Sequence, residues 1–269
     1  MSGGERHSIE PSARKVELWY ARLDAEETPE QVARCRRSLS AEELAAERRF
    51  AREELRQRWR RTRAMARDVL SRYHDVPPEA WEFERSSLGK PEVVGPVNPP
   101  LRFNLAHSGR LIVCAVSEWG QDRVQSSAEG TIGVDVELVR DRPSMRSLAR
   151  RFFAHDEVTW LEAQPPDQQR DAFYRIWTLK EAYLKAIGTG LSRPLKSFSV
   201  ECEGHPTPAI RFNQPLQDTP RRWRLAQWAE RQSPAEVYQL AVAVAGESAD
   251  EALPLEVSRH RWYVDDLPG

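Results

Sequence analysis

The segment 177–185, Trp-Thr-Leu-Lys-Glu-Ala-Tyr-Leu-Lys, constrains the fold of this chain more than any other feature. Residues three, four and eight positions apart share one face of a helix. The spacing therefore predicts a helix with four side chains on one face: Trp177, Lys180, Glu181 and Lys185. We expect Gly188 and Gly190 to end this helix, because glycine is common just after a helix C-terminus.

A short acidic strand precedes this helix in the sequence. Side chains alternate between the two faces of a strand, so Asp135 and Glu137 point to one side and Val136 to the other. Where Glu181 converges with them, three carboxylates and the Lys185 ammonium form a site for a hard divalent cation and a phosphate. The alternative is a half-exposed strand beside a solvated Glu181–Lys185 pair. The joint spacing of these residues favours the site.

Length and composition indicate a folded, well-solvated protein of one large domain or two ordinary ones. The chain has 269 residues, of which 40% are hydrophobic and 30% charged. Its 40 basic and 41 acidic side chains give a formal net charge of -1, which argues for no polyanionic partner. Three scattered cysteines without a Cys-x-x-Cys pair suggest neither zinc nor a disulfide framework and fit a cytoplasmic compartment. Neither a signal peptide nor a transmembrane helix is expected.

The first half is predicted to contain a strand, a long helical region and several further strands. Residues 1–14 are interpreted as a tail and residues 16–23 as a strand. Ser40 and Glu43 form a predicted capping box at the start of a helical region that continues to Tyr73. The apolar stripe of this region predicts the core residues Leu55, Trp59, Thr62, Ala66, Val69 and Tyr73. Strands are then predicted at 81–84, 101–105 and 111–117, before a polar loop at 118–130.

The second half repeats this order of elements. A strand at 131–139 precedes a helical region at 145–163, the helix of the opening motif and strands at 198–202, 222–227 and 238–245. The last twenty residues are interpreted as a tail. The shared order predicts an α+β protein of two similar α/β subdomains, residues 1–128 and 129–269, with a ligand-binding groove between them.

Several motifs of the chain, taken in this order, resemble the 4′-phosphopantetheinyl transferases. They are Ser87-Leu-Gly89-Lys90-Pro91, Phe103-Asn104-Leu-Ala-His107-Ser108-Gly109, Gly133-Val-Asp-Val-Glu137, Phe152-Phe153 with Glu157, and residues 177–185 with Gly188-Thr-Gly190-Leu191. The resemblance covers residues 16–245, and the length is similar to that of the larger, pseudodimeric class named after the surfactin-type enzyme. This class has its active site at the interface of two similar halves.

The resemblance implies a reaction. The phosphopantetheine arm of coenzyme A moves to a serine of an apo acyl or peptidyl carrier protein, and adenosine 3′,5′-bisphosphate is released. Magnesium is the implied cofactor, with Asp135, Glu137 and Glu181 as its ligands. We expect Glu181 to take the serine proton and Lys185 to contact the bridging or leaving phosphate. Fatty-acid, polyketide, nonribosomal-peptide and lysine biosynthesis all remain open as the pathway.

The resemblance also implies contacts to coenzyme A from the first half. Lys90 lies in a turn and is expected to reach a phosphate or the adenine rim. His107 with Ser108 lies in a turn after a strand, and these two are expected phosphate contacts. Ala106 departs from the family pattern, in which a serine is frequent, so the backbone or Ser108 is expected to substitute. Lys180 is expected to pair with Glu157 and fix the helix, and Trp177 is expected to pack near the site.

The long first-half helix carries arginines at intervals of three or four residues: Arg49, Arg52, Arg56, Arg60, Arg63 and Arg67. Most are interpreted as a solvated face balanced by glutamates. By the resemblance, Arg63 and then Arg56 are the expected contacts to the 3′-phosphate of coenzyme A, because a guanidinium forms paired hydrogen bonds with phosphate.

Two alternatives remain at this point. The arginine helix is compatible with a nucleic-acid-binding module, although no base-stacking aromatic cluster accompanies it and the net charge is near zero. The second alternative is a catalytically inactive relative that binds coenzyme A or a carrier. The presence of the complete set argues against it: Asp135, Glu137, Glu181 and Lys185. The favoured reading is a monomeric, cytoplasmic enzyme that binds neither nucleic acid nor membranes.

Overall fold

The computed structural model describes most of the chain. The described residues are 14–23, 26–86, 89–97, 99–118, 131–202, 207–213, 219–246 and 254–267. The predicted tail at 1–13, nearly all of the predicted loop at 118–130, and Ser87 and Leu88 of the turn before Lys90 therefore lie outside the described residues. None of the helices in the described ranges is long and apolar enough to cross a membrane.

The first half contains one strand, three helices and two hairpins. These are β1 (Arg14–Arg22), α1 (Pro29–Arg37), α2 (Ala41–Arg48), α3 (Glu53–Ser71), β2 (Glu82–Arg85), β3 (Pro91–Gly95), β4 (Leu101–Ser108) and β5 (Leu111–Glu118). The capping box predicted at Ser40 is confirmed, since its hydroxyl accepts from the Glu43 amide at 3.2 Å while Glu43 accepts from the Ser40 amide at 3.1 Å. Helix α1 begins with a second capping box, Thr28 with Gln31, which the sequence analysis missed.

The second half has the same composition of elements, followed by one additional strand. These are β6 (Ile132–Leu138), α4 (Met145–Phe152), α5 (His155–Ala163), α6 (Gln169–Ile187), β7 (Phe198–Glu201), β8 (Ala209–Phe212), β9 (Trp223–Ser233), β10 (Glu236–Ala245) and β11 (Leu255–Arg261).

The topology confirms the predicted repeat of an α+β unit. One sheet has the order β11-β1-β5-β4, and the other has the order β6-β10-β9. In each half the first strand pairs antiparallel with the second strand of the long hairpin, and a long helix and a two-stranded hairpin lie between them in sequence. The two halves therefore share one chain path without sharing a sequence.

Strand β11 shows that the tail predicted for the last twenty residues is wrong. It pairs parallel with β1, in a register that runs from Arg14 opposite Leu255 to Tyr20 opposite Arg261. The segment after it buries Trp262 and Val264 in the core of the first half. The end of the chain thus returns to the first sheet, and the division near residue 128, among residues outside the described part, stays a prediction.

Apolar side chains fill the space between the two sheets and beneath the two long helices. The layer between the sheets includes Val16, Leu18, Val113 and Ala115 from the first half and Val134, Val136, Leu240 and Val242 from the second. Helix α3 covers the outer face of the first sheet, and α6 covers that of the second. Of the predicted α3 stripe, Thr62, Ala66 and Val69 are buried, while Leu55, Trp59 and Tyr73 are half-buried.

Candidate active site between the two halves

A glycine brings strand β6 against helix α6. A Cβ atom built on Gly133 would lie 2.0 Å from the carbonyl oxygen of Ala182 and 2.4 Å from the amide nitrogen of Ala186. No residue with a side chain fits at this distance without a shift of the backbone. Because side chains alternate along the strand, Asp135 and Glu137 share the face of Gly133 and point towards α6. The helix then supplies Glu181 and Lys185 to the same place.

The carboxylates of this site accept few hydrogen bonds for groups that are largely buried. The Lys185 ammonium donates to Asp135 Oδ1 at 2.7 Å, and Asp135 is only 5% exposed. The other oxygen of Asp135, Oδ2, and Oε1 of Glu181 are buried without a hydrogen-bond partner among the described residues. Glu137 accepts a hydrogen bond from the Ser108 hydroxyl at 2.8 Å. The site therefore holds two buried carboxylate oxygens that accept no hydrogen bond from the described residues.

The three carboxylates influence one another electrostatically without forming a closed ligand set. Within the described ranges, no three Asp, Glu, His or Cys side chains stand in an arrangement that holds a metal ion. Burial raises the pKa of Asp135 from 3.8 to about 7, with Lys185 opposing the shift and the charges of Glu137 and Glu181 adding to it. Burial also raises the pKa of Glu181, and Glu137 adds to that shift. The metal-ligand roles predicted for these residues stay predictions.

The end of strand β4 brings two predicted residues of the first half to the site. Ser108 points towards β6, where its hydroxyl also accepts from the Leu138 amide at 3.0 Å. His107 lies on the opposite face of the strand, on the side of α3. Ala106 is 4% exposed and packs in the apolar layer between the sheets. Ser108 and His107 thus lie in β4 and not in the predicted turn, and the Ser108 hydroxyl reaches Glu137 from the end of the strand.

His107 is surrounded by positive charge. Its ring is exposed at the surface, yet partial desolvation lowers its pKa, and the charges of Arg58, Lys185 and Arg63 lower it further. Arg58 is a candidate that the sequence analysis missed. The candidate arginines recur at intervals of three or four residues along the helix, and Arg58 falls outside that series. The periodicity of the helix therefore carries no signal that could have found it.

Three of the six arginines within α3 are buried, so the interpretation of a solvated face is wrong for Arg60 and Arg67. Arg60 is fully buried between Glu27 and Glu47, and Arg67 is buried with Glu43 at 2.8 Å. Neighbouring Arg61 also pairs with Glu27. These guanidinium groups balance buried carboxylates and are not available to a polyanion at the surface.

Arg63 differs from its neighbours. Within the described residues it has no ion pair, and its guanidinium lies over the ring of Trp59, 4.6 Å from the ring centroid. Burial lowers its pKa, and the charges of Arg85 and Arg67 add to the shift. Arg56, the second candidate, donates to the Phe50 carbonyl at 2.7 Å and lies 3.8 Å from Glu53. Of the two predicted arginines, Arg63 is therefore the one whose guanidinium is more available to an anionic ligand.

A groove of about 810 Å³ lies beside Arg63. It is bounded by the start of α2, by α3 and by the β2–β3 hairpin, and we call it the α2–α3 groove. Its walls include Trp59, Arg63, Trp81, Phe83 and Arg85. The aromatic surfaces suit a ligand that has a flat ring, and the Arg63 guanidinium suits an anionic group, although Glu42, Glu43, Glu79 and Glu82 also line the groove.

Lys90 is not directed at open solvent. Its ammonium donates to the carbonyl oxygens of Ile132 at 3.1 Å and Ala186 at 3.0 Å. Burial lowers its pKa from 10.5 to about 8. The phosphate contact predicted for Lys90 remains a prediction, and two of its hydrogen bonds are already made to the backbone.

The structural roles predicted for the motif helix are confirmed. Lys180 Nζ lies 2.8 Å from Glu157 Oε1, and both side chains are buried. Glu157 also accepts from the amides of Ala154 and Val200, each at 2.8 Å. Trp177 stacks on Phe173 with ring centroids 5.9 Å apart. The ion pair joins α6 to α5, and the ring contact lies within α6.

Comparisons with known proteins agree with this arrangement. The family model described as the 4′-phosphopantetheinyl transferase superfamily matches residues 131–243. A second family model, described as the N-terminal part of a 4′-phosphopantetheinyl transferase, matches residues 26–119. The two matches together include every predicted site residue.

Curated relatives carry the same description. The 4′-phosphopantetheinyl transferase HetI of Nostoc sp. (strain PCC 7120) is 38% identical over 181 residues, which cover 66% of this chain and 71% of the relative. The 4′-phosphopantetheinyl transferase Sfp of Bacillus subtilis (strain 168) is 36% identical over 51% of this chain and 54% of its own length. The ffp protein of Bacillus subtilis is 31% identical over 69% of this chain and 76% of its own. The chain thus matches between about half and three quarters of these relatives.

Proposed function

This chain belongs to the 4′-phosphopantetheinyl transferase superfamily, and from that premise we propose that it transfers the phosphopantetheine arm of coenzyme A to a serine of an apo carrier protein. Adenosine 3′,5′-bisphosphate is the second product. The observation that carries the proposal is the meeting of Asp135, Glu137, Glu181 and Lys185 where β6 touches α6, beside the cations around His107. Carboxylates that can bind a cation thus lie next to positively charged side chains that can bind phosphates.

The donors of the site have the chemistry that a divalent cation prefers, although the three carboxylates do not form a closed ligand set among the described residues. Asp135 Oδ2 and Glu181 Oε1 are buried without partners in the described part of the chain, and hard cations such as Mg²⁺ prefer carboxylate oxygens. Asp135, Glu137 and Glu181 would hold the ion. When bound, Mg²⁺ neutralises the diphosphate of coenzyme A and stabilises the charge that develops on it.

Two residues of the chain act on the proton of the carrier serine and on the leaving bisphosphate. The carrier serine oxygen forms a bond to the phosphorus that bears pantetheine, and the bond from that phosphorus to the bridging oxygen breaks. Glu181 takes the serine proton, and the raised pKa of its buried carboxyl makes it a stronger base than an exposed glutamate. The Lys185 ammonium, next to Asp135, offsets the negative charge on the leaving bisphosphate.

The first half binds the nucleotide end of coenzyme A. Arg63 has no acidic partner among the described residues and borders the α2–α3 groove, so its guanidinium is available for the 3′-phosphate. The charges of Arg58 and Arg63 both act on His107, so the three side chains lie in one positive region. Ser108 holds Glu137 in place from this side of the site. Arg56 is the weaker candidate, because its guanidinium is already bonded to the Phe50 carbonyl.

The partner is an apo acyl or peptidyl carrier protein, and the chain acts as a monomer because its two halves together supply the site. We place the reaction in the cytoplasm. None of Cys35, Cys114 and Cys202 is in a disulfide, which is compatible with a reducing compartment.

One experiment tests the reaction and the assignment of Glu181. The protein is incubated with coenzyme A, Mg²⁺ and a panel of apo carriers, and mass spectrometry detects the added phosphopantetheine. Glu181→Gln should lower the rate by about 10²- to 10⁴-fold, the range for loss of a general base. Glu162→Gln, at an exposed carboxyl paired with Arg150, is the matched control and should retain the wild-type rate. A Glu181→Gln variant with normal turnover would refute the assignment.

A second experiment tests the 3′-phosphate contact. Arg63→Ala should raise the KM for coenzyme A and leave that for 3′-dephospho-coenzyme A nearly unchanged, because only the first ligand has the phosphate. Arg49→Ala, on the exposed end of α2, is the control. If Arg63→Ala raises both values equally, Arg63 does not read the 3′-phosphate.

The same assays decide between the remaining alternatives. A wild-type protein that binds coenzyme A but modifies no carrier would be an inactive relative. A nucleic-acid-binding module would be retained on DNA in a salt-dependent manner without transferring any group. The burial of Arg60, Arg61 and Arg67 in ion pairs argues against that module.

A further inference from the structure

Strand β6 lies at the edge of its sheet, although it carries two of the site carboxylates. Its hydrogen-bonded neighbour is β10, on one side. In an antiparallel pair, backbone groups that point away from the neighbour belong to alternate residues. The Thr131 carbonyl accepts from the Ala245 amide, and the Val139 amide donates to the Val237 carbonyl. The backbone groups of these two odd-numbered residues therefore point towards β10. The outward groups of β6 are therefore those of the even-numbered residues.

Side chains of the first half bond to these outward groups in the place of a neighbouring strand. The Ile132 carbonyl accepts from Lys90 Nζ at 3.1 Å. The Val134 amide donates to Asn104 Oδ1 at 2.9 Å. The Leu138 amide donates to the Ser108 hydroxyl at 3.0 Å. We call Lys90, Asn104 and Ser108 the β6 clasp.

Two members of the clasp lie on strand β4 of the first half. Asn104 is 5% exposed there. Ser108 ends the same strand, and its hydroxyl also donates to Glu137 Oε2 at 2.8 Å. One side chain thus fixes both the backbone of β6 and a carboxylate that the strand carries.

Lys90 connects a third element. Its ammonium also donates to the carbonyl of Ala186 at 3.0 Å, in the last turn of α6. Helix C-terminal carbonyls lack partners within the helix and carry the negative end of the helix dipole, so a cation is stabilising there. A single side chain of the first half therefore bonds to both elements that supply the carboxylates, namely β6 and α6.

We propose that the β6 clasp positions Asp135 and Glu137 against Glu181, and that Lys90 acts as a positioning residue and not as a phosphate contact. The proposal rests on the proposed function for its catalytic consequence, but the clasp itself is a property of the fold. Partners that orient metal-binding side chains commonly change metal affinity or activity by about 10- to 100-fold when removed.

The test compares Lys90→Met, which keeps the length of the side chain without its donors, with Lys90→Arg, which keeps donors. Lys196→Met, at an exposed lysine, is the control. For Lys90→Met we expect kcat to fall by about 10- to 100-fold, with an unchanged KM for coenzyme A and an unchanged preference over 3′-dephospho-coenzyme A. Lys90→Arg should restore part of the rate. A rise in KM with normal kcat, or a lost preference for the 3′-phosphate, would identify a phosphate contact and overturn the proposal.

A second readout does not depend on activity. Amide hydrogen exchange of residues 132–138 should become faster in Lys90→Met, while exchange in β5 stays as in the wild type. Ser108→Ala, which removes the acceptor of the Leu138 amide, serves where Lys90→Met does not fold and should give the same local effect. Unchanged exchange in β6 would overturn the clasp. If the wild-type protein modifies no carrier, the proposed function is refuted. The hydrogen-exchange measurement would then still test the β6 clasp, because it does not depend on activity.

Discussion

Replacement of Asp135 by asparagine should change the stability of the metal-free protein in a pH-dependent way. Asp135 is 5% exposed, and one of its oxygens has no partner within the described residues. Burial raises the pKa of this carboxyl to about 7, against 3.8 for its ordinary value. In the unfolded chain the side chain ionises near its ordinary pKa, so the two states bind different numbers of protons between these values.

The sign and size of the effect follow from this difference. The folded protein holds the extra proton between about pH 4 and pH 7, so the free energy of unfolding falls as the pH rises through that interval and levels off above it. Each pH unit corresponds to about 1.4 kcal/mol, so the loss between pH 5 and pH 8 is about 3 kcal/mol. Asp135→Asn has no such proton. Its stability relative to the wild type should therefore be higher at pH 8 than at pH 5 by about 3 kcal/mol.

The assay is chemical denaturation of both proteins at the two pH values, in the presence of a chelator. Asp141→Asn, at a carboxyl that is 85% exposed, controls for the substitution itself. Saturating Mg²⁺ should remove most of the wild-type loss at pH 8, because a bound cation favours the ionised carboxylate. An equal stability difference at pH 5 and pH 8 would refute the argument, since Asp135 would then titrate alike in the folded and unfolded states.

Three further predictions concern the contacts that support the site. Gly133→Ala should lower the free energy of unfolding by about 3 kcal/mol or more in chemical denaturation, because its Cβ would overlap the backbone of α6; a loss below about 1 kcal/mol would contradict that close approach. Lys180→Met should cost about 3 to 5 kcal/mol by leaving Glu157 buried without its counter-charge. The double variant with Glu157→Gln should cost less than the two single variants together, whereas strict additivity would show that the pair does not couple. Arg60→Met should destabilise by about 3 to 5 kcal/mol, and exposed Arg49→Met by less than about 0.5 kcal/mol; equal thermal shifts would contradict the buried network.

The parts of the fold that depend on local pattern were predictable from the sequence. The capping box at Ser40, the α6 helix with its glycine end and the alternation of β6 each follow from a spacing of a few residues. Gly188 has a φ of 71°, which suits glycine just past a helix end. The pairing of Lys180 with Glu157 came from the family resemblance, and the structure confirms it.

The parts that depend on distant partners were not predictable in the same way. The burial of Arg60 and Arg67 requires Glu27, Glu43 and Glu47, which lie in a loop and another helix, and a charge series in one helix does not reveal them. Strand β11 was missed because its polar residues, including Arg259, give no clear apolar alternation, and parallel pairing with β1 defines it.

The edge position of β6 explains why the sequence indicates the carboxylates of the site but not their environment. Strand alternation reports which side chains share a face, so Asp135 and Glu137 could be placed together from the sequence. It does not report which backbone groups lack a neighbouring strand, because that depends on sheet order. In this fold the missing neighbour is replaced by side chains of the other half, Lys90 and Asn104 among them. Asp135 itself is buried on the face of β6 that meets α6, and this burial raises its pKa, so the acidity of the site depends on the helix contact while the satisfied edge of β6 depends on the other half.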